Sequence, residues 1–213
     1  MPLYTTDALI LRTYKLGESD RIVVFLTRDR GKKRGVAKNA RQSRRRFGGA
    51  LEPMTTGRVG YVERERRDLV RLDYVEPLRS PLAAAHGEAL GYVGYFAELI
   101  DEWAQHDDPN EPLFRLGSSV IDAMAAGVPI EPLARYFEYW LLRLQGVYDH
   151  ERRMSSEAKA FLETARSSSP FALAGVVVPQ RALKEIESAH RELIAMHLEK
   201  DLKSVRVLRE IRR

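Results

Sequence analysis

Between Arg28 and Arg46 the chain carries ten basic side chains: Arg28, Arg30, Lys32, Lys33, Arg34, Lys38, Arg41, Arg44, Arg45 and Arg46. Asp29 is the one acid among them. Cations at that density repel one another unless a polyanion lies nearby, and each one that neutralises a phosphate releases condensed counterion. Guanidinium groups add bidentate phosphate contacts and stack on bases. The spacing therefore predicts nucleic-acid binding, with Lys38, Arg41, Arg44, Arg45 and Arg46 foremost because they fall in a polar loop that is free to follow a backbone. Tyr61 and Tyr74, both in predicted strands, are candidates for stacking on bases. Packing against cross-strand neighbours is the plainer use of such rings.

Other groupings resemble catalytic devices and read more simply otherwise. Glu18 and Asp20 sit in a Gly17-Glu18-Ser19-Asp20 turn, where carboxylates accept backbone N–H bonds or pair with a neighbour such as Arg21. Glu63, Glu65 and Asp73 could serve a metal-dependent nuclease only if they converged on one point; ion pairs with arginines of the same hairpin, such as Arg64, explain them more simply. Gly31-Lys32-Lys33 is no phosphate-binding loop, because position 26 is Leu and no Ser or Thr follows the lysine. Gly48 and Gly49 point to a tight turn. His190 and His197, seven residues apart on one predicted helix, lack a third ligand and read as packing. No metal or cofactor is expected.

The charge is unevenly spread. The net charge of +5 divides into 19 basic and 10 acidic residues before position 81, then 16 and 20 after it. A basic module that attracts phosphate, followed by a weakly acidic one that meets protein, is the expectation. The absence of cysteine excludes disulfides and thiolate chemistry and fits a reducing compartment. With no apolar run of membrane length and no secretory leader pattern, a cytoplasmic, nucleoid-associated monomer with no membrane partner is expected.

Stretches rich in β-branched and aromatic residues predict five strands, Tyr4 to Leu16, Arg21 to Arg28, Lys32 to Ala37, Met54 to Glu65 and Leu69 to Leu78, with close turn signals that suggest a small barrel. Ser80-Pro81 has the composition of a helix start. From there helical periodicity predicts a first helix that carries Leu90, Val93, Phe96, Leu99, Ile100 and Trp103 on one face and stops before Asp107, then helices from Leu113 to Ala126, Glu131 to Leu144, Ser156 to Ala165, Gln180 to about Lys200 and Ser204 to Arg213. The third is apolar nearly all round, as a central helix is. The fold class is thus α+β, a barrel domain at 1–80 and an all-α domain at 81–213.

The ordered set Leu9-Ile10-Leu11, Gly17-Glu18-Ser19-Asp20-Arg21, Thr27, Gly31, Val36-Ala37-Lys38, Ala40-Arg41, Phe47-Gly48-Gly49-Ala50-Leu51-Glu52-Pro53 and, near the other end, Lys200 to Leu208 resembles the bacterial recombination mediator family RecO. The resemblance implies an OB-fold at 1–80, a helical domain at 81–213, and no catalysis. It also implies binding of single- and double-stranded DNA, annealing of complementary strands, and, with RecR, loading of RecA onto gaps coated by the single-strand-binding protein SSB. RecF is a further partner in some systems. Many members carry a four-cysteine zinc module after the central helix; here Gly146-Val147-Tyr148 runs into Met154-Ser155-Ser156, and His150 cannot replace four thiols, so no zinc is expected. The acidic, apolar-ended SSB tail would need an apolar pocket edged by cations, for which Arg135, Tyr139 and Arg143 of the central helix are candidates. The alternative to a mediator is a generic OB-fold adaptor for single strands.

Overall fold

Successive apolar side chains of Val23-Val24-Phe25-Leu26 are buried on both faces of one strand, and the architecture follows from that. In a computed structural model, which describes residues 3–43, 46–63, 68–83, 85, 87–148 and 154–212, five strands come first: β1 (Leu3–Leu16), β2 (Asp20–Thr27), β3 (Gly31–Ala37), β4 (Thr56–Val62) and β5 (Val70–Arg79). They close into a barrel in the order β1-β2-β3-β5-β4. Every pairing is antiparallel except the short β3–β5 contact from Gly35 to Ala37. This is the OB-fold, a five-stranded Greek-key barrel. Val23 and Phe25 point into the barrel with Ile10, Val59, Tyr61 and Leu72. Val24 and Leu26, with Leu9, Leu11 and Met54, point outward and join the core of the helices. A strand buried on both sides reads as a continuous apolar run rather than an alternating one.

The helices are α1 (Glu88–Trp103), α2 (Glu111–Ala125), α3 (Ile130–Leu144), α4 (Ser156–Ser167), α5 (Gln180–Leu198) and α6 (Lys203–Ile211). Local chemistry sets several ends. The Asn110 side chain accepts the Leu113 N–H at 3.1 Å and opens α2; Ser155 Oγ accepts the Ala158 N–H at 3.3 Å and opens α4. α3 is buried from Pro132 through Tyr139 and is the central helix, as its composition predicts.

Three sequence expectations are corrected. Ser80-Pro81 opens only a 3₁₀ turn, Pro81–Ala83, and α1 starts after Gly87, whose φ of 55° breaks any helix running through it. Ser167-Ser168-Ser169-Pro170, which reads as a loop by composition, instead has Ser167 closing α4 and Pro170 opening a 3₁₀ helix, Pro170–Gly175. His197 is exposed, because the last turn of α5 runs past the core that buries His190. His150 lies outside the described residues.

The barrel and the helices are pressed together at the β2–β3 turn. Gly31 has φ +71°, and a Cβ there would lie 2.4 Å from the Asp108 backbone. Only glycine combines that conformation with that approach. Lys32 N–H donates to Gln105 O at 3.2 Å, and Asp107 N–H returns to Lys32 O at 3.2 Å.

Candidate nucleic-acid interface

The barrel divides the eight described basic residues of the run into those with a carboxylate partner and those without one among the described residues. Alternate residues of β3 face opposite sides, and Lys32 faces the helices. Its Nζ donates to Asp101 O at 2.5 Å and Oδ1 at 3.1 Å, buried below α1. Burial pulls this ammonium below the usual lysine range. Lys33 points to the opposite side of the strand, where it pairs with Glu63 at 2.6 Å and Asp107 at 2.5 Å. Arg28 pairs with Glu111 at 2.8 Å. Arg30 lies over the Tyr4 ring, 4.0 Å from its centroid, with Asp29 at 3.8 Å. Both Lys32 and Lys33 ammonium groups are engaged by carboxylates, so a phosphate that met either would have to displace them.

The second group comprises Arg34, Lys38, Arg41 and Arg46. Arg34, Lys38 and Arg41 are exposed, and none of the four forms an ion pair with a described residue. The loop that presents three of them is anchored from beneath. Phe47, Ala50 and Leu51 fill one end of the barrel, and Val75 N–H donates to Arg46 O at 3.1 Å. Gly48, with φ 35°, lets the chain turn directly after the buried ring. Arg46 braces the loop through Ser43 Oγ at 3.1 Å and Lys38 O at 2.6 Å, leaving its charge unneutralised. Arg41 Nη1 donates to Glu18 O at 2.9 Å, and Asp20 Oδ1 accepts the Asn39 N–H at 2.8 Å. The Glu18–Asp20 turn thus positions the basic loop and assembles no catalytic pair. Arg44 and Arg45 lie outside the described residues.

Two family model matches follow the same division of the chain. The model described as recombination protein O N terminal matches residues 1–81, and that described as recombination protein O C terminal matches residues 85–153. The chain belongs to the RecO family. Relatives named DNA repair protein RecO include that of Koribacter versatilis, 45% identical over 146 residues, which are 68% of this chain and 59% of the relative. That of Anaeromyxobacter sp. strain K is 42% identical over 141 residues, 65% of this chain and 55% of the relative. That of Geobacter metallireducens is 36% identical over 171 residues, 79% of this chain and 70% of the relative. The chain thus spans little more than half the length of the first two.

Against the RecO-like expectations, the aromatic and C-terminal candidates need correction. Tyr61 is 0% exposed, packed in the barrel against Tyr4 and Phe25. It cannot offer a face to a base. Tyr74 is half-buried and its ring lies over Gly60, where a Cβ would sit 2.2 Å from Tyr74 Cε1; that face covers backbone. Arg135 is 3% exposed and paired with Glu138 at 2.9 Å and Glu187 at 3.0 Å. Tyr139 is fully buried. Only Arg143 of that trio reaches solvent, lying over the Tyr139 and Trp140 rings. A tail could not enter there without opening the core.

Of the acids of the nuclease alternative, the two that are described each have a basic partner. Glu63 is taken by Lys33, Asp73 pairs with Arg71 at 2.8 Å, and Glu65 lies outside the described residues. No group of three or more potential metal ligands occurs among the described residues. No described helix is long and apolar enough to cross a membrane.

Sequence reasoning missed two features. Tyr14, Lys15 and Leu16 are exposed at the far end of β1, and the signal was a strand of 14 residues where five or six is usual. The second is a groove of about 340 Å³ between α5 and α6, floored by Ile194, Leu202 and Val205 and edged by Lys203, Arg206 and Arg209. The signal there was the amphipathic Val205-Arg206-Val207-Leu208-Arg209 pattern.

Proposed function

We propose that this chain acts in DNA repair and recombination as a non-enzymatic mediator. It binds single- and double-stranded DNA and anneals complementary strands. With RecR it helps load RecA onto SSB-coated gaps, with RecF a further partner where present. The observation that carries this reading is the patch of exposed cations, Arg34, Lys38 and Arg41 with Arg46 beside them, left without carboxylate partners among the described residues on one side of an OB barrel. Arg44 and Arg45 extend the same run in sequence. Holding and releasing strands needs charge and shape but no reacting group, so the role assigns no catalytic residue.

The test is annealing of two complementary, SSB-coated oligonucleotides followed by fluorescence. Wild type should accelerate it without nucleotide or metal, and an Arg44/Arg45/Arg46→Ala variant should do so weakly. No acceleration by wild type, despite binding to bare strands, would remove the mediator role and leave the generic single-strand adaptor.

The SSB tail finds better chemistry in the α5–α6 groove than on α3. An acidic peptide ending in an apolar residue matches an apolar floor with a cationic rim. Arg206→Glu should abolish binding of a tail peptide, read by anisotropy, while annealing of bare strands is kept. Unchanged peptide affinity would exclude the groove.

A further inference from the structure

The β1–β2 ribbon outlasts the helices that cover its outer face. Pairing continues from Arg12↔Val24 to Tyr14↔Ile22 and Leu16↔Asp20, and β3 extends the same rows with Val24↔Arg34 and Ile22↔Val36. Paired residues point to one side of a sheet, and so do residues two apart on a strand. Tyr14, Leu16, Ile22 and Val36 therefore share one outward face. Deeper on this face Val24 is buried with the helical core. Further out the cover ends: Tyr14 is 42% exposed and Leu16 38%, with Ile22 and Val36 half-buried.

Around this apolar patch the charge is positive. Arg34 lies one row below it, and Lys38 and Arg41 follow β3 into the loop. Asp20 is tied to the Asn39 N–H. Glu18 is the remaining acid of the turn. Arg12, itself held by buried Asp101, lies 5.5 Å from the Tyr14 ring centroid and steadies the ring on the sheet. A ring already ordered loses little freedom when a ligand stacks on it.

We infer that this face is a stacking platform for unpaired bases, with Tyr14 as the stacking ring and Arg34, Lys38 and Arg41 as the phosphate contacts that bring the strand across it. The inference rests on the DNA-binding reading and sharpens it. Bases within a duplex present edges, not faces, so the platform serves single strands, whereas the cations serve both forms. A second copy of the chain is a poor occupant, because it would set cationic rims against each other. Stacking on rings with cations alongside is how single strands are held without regard to sequence.

The experiment is anisotropy with a labelled oligothymidine strand and with a duplex, each over a range of salt, using the full chain. Tyr14→Leu should weaken single-strand binding about ten-fold, the scale of one lost base–ring stack. It should leave duplex affinity and the salt slope unchanged. Tyr14→Phe should bind as wild type. Arg34→Ala should weaken both forms and reduce the salt slope by about one, as loss of a phosphate contact does. Unchanged single-strand affinity in Tyr14→Leu, alongside a weakened Arg34→Ala, would overturn the platform and keep the DNA reading. Equal loss on strand and duplex in Tyr14→Leu would also overturn it. Failure of wild type to bind either form would overturn both.

Discussion

Asp101 carries two contacts across the barrel–helix boundary. Its carboxylate and carbonyl hold the Lys32 ammonium, and its other oxygen meets Arg12. Removing one member of a buried ion pair leaves the other charged and unsolvated, so Asp101→Asn should destabilise the fold by about 3 kcal/mol, read as a lower urea midpoint. Tyr61 makes the opposite case. Burial raises its phenol to about 12, and its hydroxyl has no hydrogen-bond partner among the described residues. A phenol whose folded value lies above its unfolded value of about 10 favours folding in full below pH 10, and that contribution is lost as pH rises toward 12. A difference of that size corresponds to roughly 2–3 kcal/mol. Tyr61→Phe should be as stable as wild type or better at pH 7 and should lose less on going to pH 11.5, with DNA binding unaltered. At this scale the sequence shows which residues are basic, but not which are already paired. Lys33 and Arg34 are neighbours, yet Lys33 turns to Glu63 and Asp107 while Arg34 faces solvent. The partners lie up to 74 positions away, and no local pattern encodes them.

Elements were legible where periodicity decides them and illegible where a distant side chain does. The five strands and six helices follow the apolar pattern closely. The start of α6 does not come from its own Ser204 acting as a cap. It comes from Glu98 on α1, whose carboxylate accepts the Lys203 N–H at 3.1 Å, the Ser204 N–H at 2.8 Å and the Ser204 hydroxyl at 2.5 Å. Burial works against the charged form, but these bonds outweigh it and hold the Glu98 carboxyl below its usual range. A depressed carboxylate stabilises in full above its unfolded value of about 4.3, and that contribution is lost as pH falls through its lower folded value. Glu98→Ala should cost about 1–2 kcal/mol, the scale of a lost cap. Hydrogen exchange should show amides of α6 losing protection while those of α3 keep theirs. Uniform loss over both helices would mean that α6 is welded to the core rather than capped onto it. The platform ribbon belongs at this scale too: alternation revealed its strands, but only the closed barrel reveals where helix cover stops.

At the scale of the molecule, we propose that the units 1–80 and 81–213 are distinct in design and inseparable in stability. The outer barrel residues Leu9, Leu11, Val24, Leu26 and Met54 belong to the same apolar cluster as Phe96, Ile100, Leu113 and Val120. Ion pairs cross the same boundary at Lys32–Asp101, Lys33–Asp107, Arg28–Glu111 and Arg79–Asp122. Exposed pairs among them contribute little, so it is chiefly the shared apolar core that holds barrel and helices together. Separating the barrel would expose that whole outer face to water, and a small barrel has little stability to spare. The expected outcome is one cooperative urea transition. Fluorescence of Trp103 and Trp140, both in helices, should give the same midpoint as hydrogen exchange of the β2 amides. A barrel that keeps its protection after the tryptophan signal has fallen would show two independent folding units. The same logic bears on function. If the barrel is held rigidly by the helices, the basic loop and the ribbon keep a fixed spacing, and a strand that meets Arg34 and Lys38 meets Tyr14 in the same geometry each time. Leu26→Ala should therefore loosen the boundary, lower the midpoint by the equivalent of about 2–5 kcal/mol, and broaden or split the transition, while the cations, which it does not touch, keep their salt-dependent hold on DNA at temperatures where the chain remains folded.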